Sequence, residues 1–180
     1  EWLHARIEGQ LALNCLTRRL RDACAALGER AVVPALDKRF WSRGRPAAPQ
    51  KGDGDCSPSF TSNWLERHVA YVCGLGTFGL SRHLITAKGM AGRFGSMVTT
   101  MPLTPDTRPY TRYDEYCTHC GACIPRCPVN AITSRGKDQL LCGAYIDKTL
   151  ERYRPRYGCG KCSVGVPCQS RIPQIQAAAT

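Results

Sequence analysis

Apolar residues recur every three to five positions over the first 27 residues of the chain, and this spacing predicts one long amphipathic helix. Arg18 and Arg19 fall mostly off the apolar face, and Gly28 is suited to end the helix. Cys15 and Cys24 lie on this helix, and we expect both to be small buried apolar side chains rather than metal ligands. The predicted inner face consists of Leu3, Ile7, Leu11, Leu16, Leu20, Ala23 and Leu27.

Shorter patterns follow the first helix. Asn63 and Glu66 have the spacing of a capping box, which predicts a helix from residue 63 to about residue 73. Short runs rich in β-branched residues predict strands, and the turn-rich residues 88–95 join the last two of them. The predicted strands lie at residues 31–35, 83–86 and 96–100.

Residues 37–62 are rich in turn formers and predict a long irregular segment. A loop of this length is usually a binding loop or a mobile segment. Its basic side chains could bind phosphate, although a solvated loop is the default explanation, and Cys56 is given no role. These basic residues are Arg39, Arg43, Arg45 and Lys51.

The most informative motif is formed by Cys117, Cys120, Cys123 and Cys127, with Pro128 directly after the last of them. This is the C-x2-C-x2-C-x3-C-P spacing of bacterial ferredoxins, in which three thiolates bind one 4Fe–4S cluster and the fourth binds another. A second cluster needs further cysteines, and the chain supplies them downstream. These are Cys142, Cys159, Cys162 and Cys168.

We therefore predict two 4Fe–4S clusters, each of which receives one ligand from the other cysteine motif. Zinc sites and disulfides are less favoured roles for these cysteines. The step from Cys162 to Cys168 departs from the usual C-x3-C-P, so Cys168 is the weakest assignment. A short helix is expected at residues 121–128, and a longer one from residue 142 to about residue 153. One cluster is assigned to Cys117, Cys120, Cys123 and Cys168, and the other to Cys142, Cys159, Cys162 and Cys127.

Composition limits the class of protein. Twelve cysteines, eight of them in cluster spacing, favour a reducing cytoplasm. No apolar run approaches the roughly 18 residues of a membrane span, so no membrane partner is expected. Two oxidised clusters would lower the formal charge of +11 to about +7. This excess favours an acidic partner, such as nucleic acid, a phosphate-bearing cofactor or an acidic electron donor, although an arginine-rich solvated surface is an equal explanation. Because the chain begins at Glu1, we expect further residues ahead of it.

Residues 74–79 fit the pattern G-x-G-x-x-G. A dinucleotide site is disfavoured, because a helix is predicted ahead of the glycines and no acidic residue stands between Glu66 and Asp106 to bind a ribose. We expect instead that the glycines let the backbone pass close to something flat or bulky.

The order of these motifs resembles the epoxyqueuosine reductase and reductive dehalogenase family over about residues 62 to 170. The resemblance is carried by RHVAYVCGLGTFGL at residues 67–80, LIT at 84–86 and GRFGS at 92–96, followed by the two cysteine motifs. Short epoxyqueuosine-reductase-like proteins also share the ending from Cys159 to Cys168.

This resemblance implies an α+β fold, with a truncated nitroreductase-like core that binds a corrinoid (cobalamin) and a ferredoxin-like module with two clusters. The corresponding domains are residues 1–101 and 110–172, with a linker at 102–109 and a tail at 173–180. By the same resemblance the corrinoid is lined by Gly74, Gly76, Gly79 and Leu80, and Arg93 and Ser96 lie near its edge.

The chain departs from the family in two ways. The catalytic aspartate expected a few residues ahead of Glu66 is absent, and so are the helical repeats that face tRNA. An epoxide would then lack its proton donor, which disfavours tRNA as the substrate, and no catalytic residue is assigned.

We therefore expect an iron–sulfur oxidoreductase that passes electrons from a ferredoxin or flavodoxin type donor to a bound corrinoid or similar acceptor. The alternatives are a ferredoxin-like carrier that docks a partner enzyme and a reductive activator of a corrinoid protein.

Overall fold

We describe the protein from a computed structural model, in which residues 2–43 and 61–174 of the 180 are described. The loop between these ranges, with Arg45, Lys51 and Cys56, lies outside the described residues, and so do residues 175–180 of the predicted tail. Of the four basic loop residues, Arg39 is bound by an ion pair to Asp37, with 2.7 Å between Nε and Oδ1.

The predicted first helix is present as α1, Trp2–Ala26. Gly28 ends it with a φ of +80°, while the N–H of Glu29 bonds the carbonyl of Cys24 at 2.9 Å, which is the Schellman arrangement. The predicted inner face is wrong in its second half, because Leu11, Leu16 and Leu20 are exposed. The side chains that α1 buries instead are Thr17 and Cys24.

The strands that the structure describes pair antiparallel in four two-stranded sheets. The predicted strands are confirmed in shortened form. The pairs are β1 (Ala31–Val32) with β6 (Val98–Thr99), β2 (Ser42–Arg43) with β3 (Thr61–Ser62), β4 (Gly76–Phe78) with β5 (Leu84–Thr86), and β7 (Ile132–Thr133) with β8 (Gly136–Lys137).

The second helix, α2, spans Glu66–Val72 and begins three residues later than the capping box predicts. Asn63 does not cap it, because its side chain is used elsewhere: Oδ1 accepts from the Trp41 N–H at 3.0 Å and Nδ2 donates to the Arg39 carbonyl at 2.8 Å. The capping box is therefore a wrong prediction, overridden by a link across 22 residues of chain.

In the cysteine-rich part, residues 121–128 form turns rather than the predicted short helix. Single hydrogen bonds, such as Cys127 N–H to the Ile124 carbonyl at 3.0 Å, close these turns. The longer helix is confirmed as α3, Gln139–Tyr153, and it begins earlier than expected because Asp138 caps it. The Asp138 carboxylate accepts the backbone N–H groups of Leu140 and Leu141 at 2.8 and 3.0 Å.

A small core joins the β4–β5 hairpin to the cysteine-rich loops. Ile85, Met90 and Val166 are buried at its centre, and the half-buried residues packed against them include several of the cysteines. The core thus draws on both sides of the predicted linker at residues 102–109. Its half-buried members are Tyr116, Cys117, Ala122, Cys123, Cys168 and Ile172.

The start of α1 lies against the last part of the chain. Arg156 donates to both carboxylate oxygens of Glu8, and the Arg6 guanidinium lies 4.4 Å from the centre of the Tyr157 ring. Among the described helices, none has the length and apolar character needed to cross a bilayer.

Candidate iron–sulfur centres and the adjoining cavity

The structure brings Cys117, Cys120, Cys123 and Cys168 to the wall of one narrow cavity. The first three lie in a loop of tight turns, and His119 takes a positive φ of 51° between two of them. The other walls of this cavity are mostly apolar and come from the β4–β5 hairpin and its surroundings. They include Gly79, Leu80, Ile85, Met90 and Val166.

Cys168, the weakest assignment from sequence, is held in place by the segment after β5. The Met90 N–H donates to the Cys168 carbonyl at 2.9 Å, and the Sγ of Cys168 lies 3.8 Å from the Sδ of Met90. The long gap after Cys162 therefore does not keep Cys168 from the three cysteines of the motif.

The chemistry of this donor set fits an iron–sulfur cluster. Burial raises the pKa of Cys123 and of Cys168 to about 11, so these thiols keep their protons unless a cation compensates the thiolate charge. The cavity offers four soft sulfur donors. Among the residues described, no three His, Cys, Asp or Glu side chains converge as they would on a single metal ion. A cluster separates its four iron corners and thus suits more widely spaced thiolates.

The second set lies around α3 and the short 3-10 helix Lys161–Ser163. Cys162 is buried, and burial raises its pKa. Cys159 and Cys142 also raise it, which places the three thiols close enough to interact. The Sγ of Cys127 accepts the Ala131 N–H at 3.2 Å, and its membership of this second set stays a prediction.

A chain of buried side chains connects the two cysteine sets. His83 Nδ1 lies 3.9 Å from the Sγ of Cys162 and 3.1 Å from the Ser81 hydroxyl. The hydroxyl lies 3.7 Å from the Sδ of Met90, which in turn contacts Cys168. Burial lowers the pKa of His83 to about 3, so this link is made by a neutral imidazole.

A larger cavity of about 740 Å³ lies beside the first cysteine set. Gly79, Leu80 and His119 line both cavities, so the two share a wall. Its volume falls within the range of small-molecule sites. The remaining lining includes α2 and the residues just before it, residues 92–94, the β7–β8 hairpin and Gln10 of α1. It also includes Phe78, Arg82, Tyr113 and Asp114.

Of the residues expected to line a corrinoid, Gly79, Leu80 and Arg93 line this cavity. The other three do not, and the fold gives each a different role. Gly74 takes a φ of +81° at the end of α2. A Cβ on Gly76 would lie 2.1 Å from the Ile85 carbonyl oxygen. Glycine is therefore needed here so that β5 can pair closely with β4, and not to make room for a ligand. The Ser96 hydroxyl accepts the Trp64 Nε1–H at 2.8 Å.

Glu66 is a site residue whose place in the cavity the sequence did not predict. It lines the larger cavity, and both its carboxyl oxygens are buried without a hydrogen-bond partner in the described part of the chain. Burial raises the pKa of Glu66, and the nearby Ser96 opposes this only in part. The sequence offered one signal, since Glu66 is an isolated acidic residue in a basic stretch.

We expect Glu66→Gln to stabilise the protein as the pH rises. Because the pKa of Glu66 is raised above its ordinary 4.5 by folding, the folded state binds this proton more tightly than the unfolded state does. Its stabilising effect is complete below that ordinary value and is lost as the pH rises through the folded-state pKa. Glutamine cannot ionise, so the unfolding temperature of the variant should rise relative to that of the wild type as the pH increases from the ordinary value of 4.5 through the folded-state pKa.

The exposed Glu151 of α3 provides the control for this experiment. The same change at Glu151 should leave the difference from the wild type constant over this range. A difference that also stays constant for Glu66→Gln would show that the carboxyl is solvated.

Comparisons with known proteins agree with the cysteine chemistry. Residues 110–133 match the family described as "4Fe-4S binding domain". The epoxyqueuosine reductase of Listeria monocytogenes is 32% identical over 110 residues, which cover 55% of this chain and 28% of that protein. The epoxyqueuosine reductases of Aliivibrio fischeri and Staphylococcus aureus are 31% and 29% identical, and each alignment covers 57% of this chain and 30% and 29% of those proteins. No solved structure matches the chain.

The cysteine motif and the matching domain define an iron–sulfur protein. Within that class the chain is epoxyqueuosine-reductase-like, which confirms the resemblance inferred from the order of the motifs. The chain spans less than a third of the length of these curated relatives.

Proposed function

We propose that the chain is an iron–sulfur oxidoreductase that passes electrons through two 4Fe–4S clusters to an acceptor bound in the larger cavity. The observation that supports this most strongly is the shared wall at Gly79, Leu80 and His119, because it puts the first cysteine set next to a cavity of ligand size. The similarity to epoxyqueuosine reductases supports the same class of reaction.

The clusters supply one-electron transfer when bound. The residues around them place the two clusters near each other and exclude water from the space between them. The pKa values of Cys123 and Cys168 are both affected by Cys162, which indicates that the two sets lie within electrostatic reach of each other. The buried link through His83 and Met90 fills the space between them with protein rather than water. A net charge that stays near +7 with both clusters favours an acidic, low-potential donor of the ferredoxin or flavodoxin type.

The acceptor that we propose first is a corrinoid, in a nitroreductase-like core as the family resemblance implies. Such a group supplies a cobalt centre that accepts electrons one at a time. Gly79 and Leu80 would lie against it on the cluster side, and Arg93 would lie at its edge. Ser96 would support this wall through its hydrogen bond to Trp64, which also lines the cavity.

Electrons delivered to a bound acceptor leave negative charge that a proton must balance. Glu66 is the acid in the cavity suited to this, because burial keeps its carboxyl protonated to higher pH than usual. It would thereby replace the aspartate that the chain lacks.

Cob(II)alamin added to the reconstituted protein tests the acceptor. We expect a base-off spectrum that saturates, and weaker binding by Leu80→Gln, because a polar side chain would then face the ring. The same change at Leu103, which is exposed outside the cavity, provides the control.

If no spectral change occurs while the clusters remain reducible, the corrinoid is excluded. Electron transfer to a partner protein without any small-molecule acceptor would then identify a ferredoxin-like carrier. Reduction of cobalt on a partner would identify an activator of a corrinoid protein.

A further inference from the structure

The wall of the larger cavity carries an excess of positive charge. Four arginines line it, together with two carboxylates. No carboxylate in the described ranges forms an ion pair with any of the four arginines. They are Arg67, Arg82, Arg93 and Arg135.

The two carboxylates do not neutralise these arginines. Asp114 is already engaged, since Arg112 and His119 lie 3.1 and 3.2 Å from its oxygens. Although burial opposes it, these hydrogen bonds lower the pKa of Asp114. Both carboxyl oxygens of Glu66 are buried without a direct hydrogen bond among the described residues, and burial raises its pKa against the opposing effect of Ser96, which disfavours a negative charge there.

Arg93 is oriented without being neutralised. Its Nε donates to the Oε1 of Gln10 at 2.9 Å, and the amide of Gln10 is itself fixed by a 2.8 Å bond to Asn14. A neutral amide sets the direction of the guanidinium and leaves its full charge. The Nη1 group is not used in this contact, so part of the donor fork is available to a ligand.

Arg67 adds a second positive charge to the cavity wall. Partial desolvation by the surrounding protein lowers the pKa of Arg67 and of Arg93, although both residues stay exposed to solvent, and the positive charge of Arg6 lowers both further. Arg67 also lowers the pKa of Arg93 directly, which shows that the guanidinium groups repel one another. The nearby Nε of Arg6 is buried and has no partner among the described residues. A bound anion would remove this repulsion.

We propose that the larger cavity binds a phosphate-bearing small molecule, with its phosphate held by Arg67 and Arg93. Planar guanidinium forks bind phosphate oxygens in pairs, and a dianion matches several cations better than a single carboxylate does. The volume of about 740 Å³ leaves room for a larger group attached to the phosphate. This inference deepens the proposed function, since it gives the chemical class of the molecule that would take the electrons.

Titration of the reconstituted full chain with inorganic phosphate, followed by calorimetry at low ionic strength, tests this site. We expect saturable binding that Arg67→Gln and Arg93→Gln each weaken about tenfold, which is the effect of losing one charge-assisted pair. Arg93→Lys should restore only part of the affinity, because it keeps the charge and loses the fork. Arg19→Gln removes the same charge from an exposed position of α1 and should change little.

A measurement on the unaltered protein covers the case in which a variant does not fold. Phosphate should slow the modification of Arg67 and Arg93 by phenylglyoxal, read by peptide mass spectrometry, and should leave Arg19 unprotected. Absence of saturable binding, or equal weakening by Arg19→Gln, would overturn the site. Acetate binding as tightly as phosphate would overturn the phosphate class. Because this binding needs no reduction, it is tested independently of electron transfer.

Discussion

Replacing Cys168 by alanine is expected to remove about half of the iron from the reconstituted protein. The wild type should carry about eight irons, in two clusters of four. Cys168 lines the same cavity as Cys117, Cys120 and Cys123, and a cluster that loses one of its four thiolates loses its closed coordination. The second set does not include Cys168, so its cluster should remain.

The fold itself should survive this change. Alanine is smaller than cysteine, and the backbone bond from Met90 to the Cys168 carbonyl does not need the side chain. Circular dichroism should therefore stay close to that of the wild type while iron and sulfide contents fall together. Cys15→Ala is the matched control, because Cys15 is an exposed cysteine of α1 and should cost no iron.

A Cys168→Ala protein that keeps all its iron would show that another group completes the first cluster. The interlocking arrangement has its own test in Cys127→Ala, which should remove the other half of the iron. Loss of the same half in both variants would contradict the proposed crossing of ligands.

The sequence predicted those features that depend on neighbours in the chain. Cysteine spacing is a local property, and the first three cysteines of the motif do line one cavity. The end of α1 at Gly28 also depends only on neighbouring residues. The left-handed backbone of Gly28 lets the N–H groups that follow bond to the last carbonyls of the helix. The body of α3 followed in the same way from its apolar spacing.

Features that depend on distant partners could not be predicted in this way. The sequence predicts that Asn63 caps a helix, but its side chain forms hydrogen bonds with the backbone of Arg39 and Trp41. The sequence pattern suggests that Gly76 belongs to a ligand-binding loop. In the structure a side chain at this position would clash with the backbone of the paired strand β5. Leu16 reads as a core residue and is exposed, because the turn of α1 that meets Gly95 presents Thr17 and Leu13 instead.

The larger cavity shows the same limit in its chemistry. Glu66 and Arg67 are ordinary polar residues in the sequence, and Arg93 is singled out only by the family resemblance. Only the packing of α2 beside residues 92–94 and α1 brings them to one cavity. Their altered pKa values follow from the desolvation and, for the two arginines, from the neighbouring charges that this packing creates, so they are properties of the fold.

Gly89→Ala is expected to destabilise the protein strongly and to loosen the loop that carries Cys168. Gly89 has a φ of +81°, and a Cβ there would lie 2.3 Å from the Gln169 carbonyl oxygen and 2.4 Å from the Cα of Ser170. These are backbone atoms, so no side-chain rotation can make room. The left-handed backbone costs about 1 kcal/mol for alanine and the overpacking about 1–3 kcal/mol more.

Such a loss is a large part of the stability of a typical domain, and for a chain of this length it should lower the unfolding temperature by about 10 °C. The clash also displaces the segment whose contacts fix the ligand: the N–H of Ala91 donates to the Gln169 carbonyl at 3.1 Å. Iron from the first cluster should therefore fall in the same variant, measured beside the melting curve under anaerobic conditions.

Gly92→Ala separates this effect from the general effect of adding a methyl group. A Cβ on Gly92 meets nothing within 4 Å, and its φ lies outside the left-handed region. Gly92→Ala should therefore leave both the unfolding temperature and the iron content near those of the wild type. Equal behaviour of the two variants would mean that residues 89 and 169 are not in close contact, and the support for Cys168 as the fourth ligand would fail with that contact.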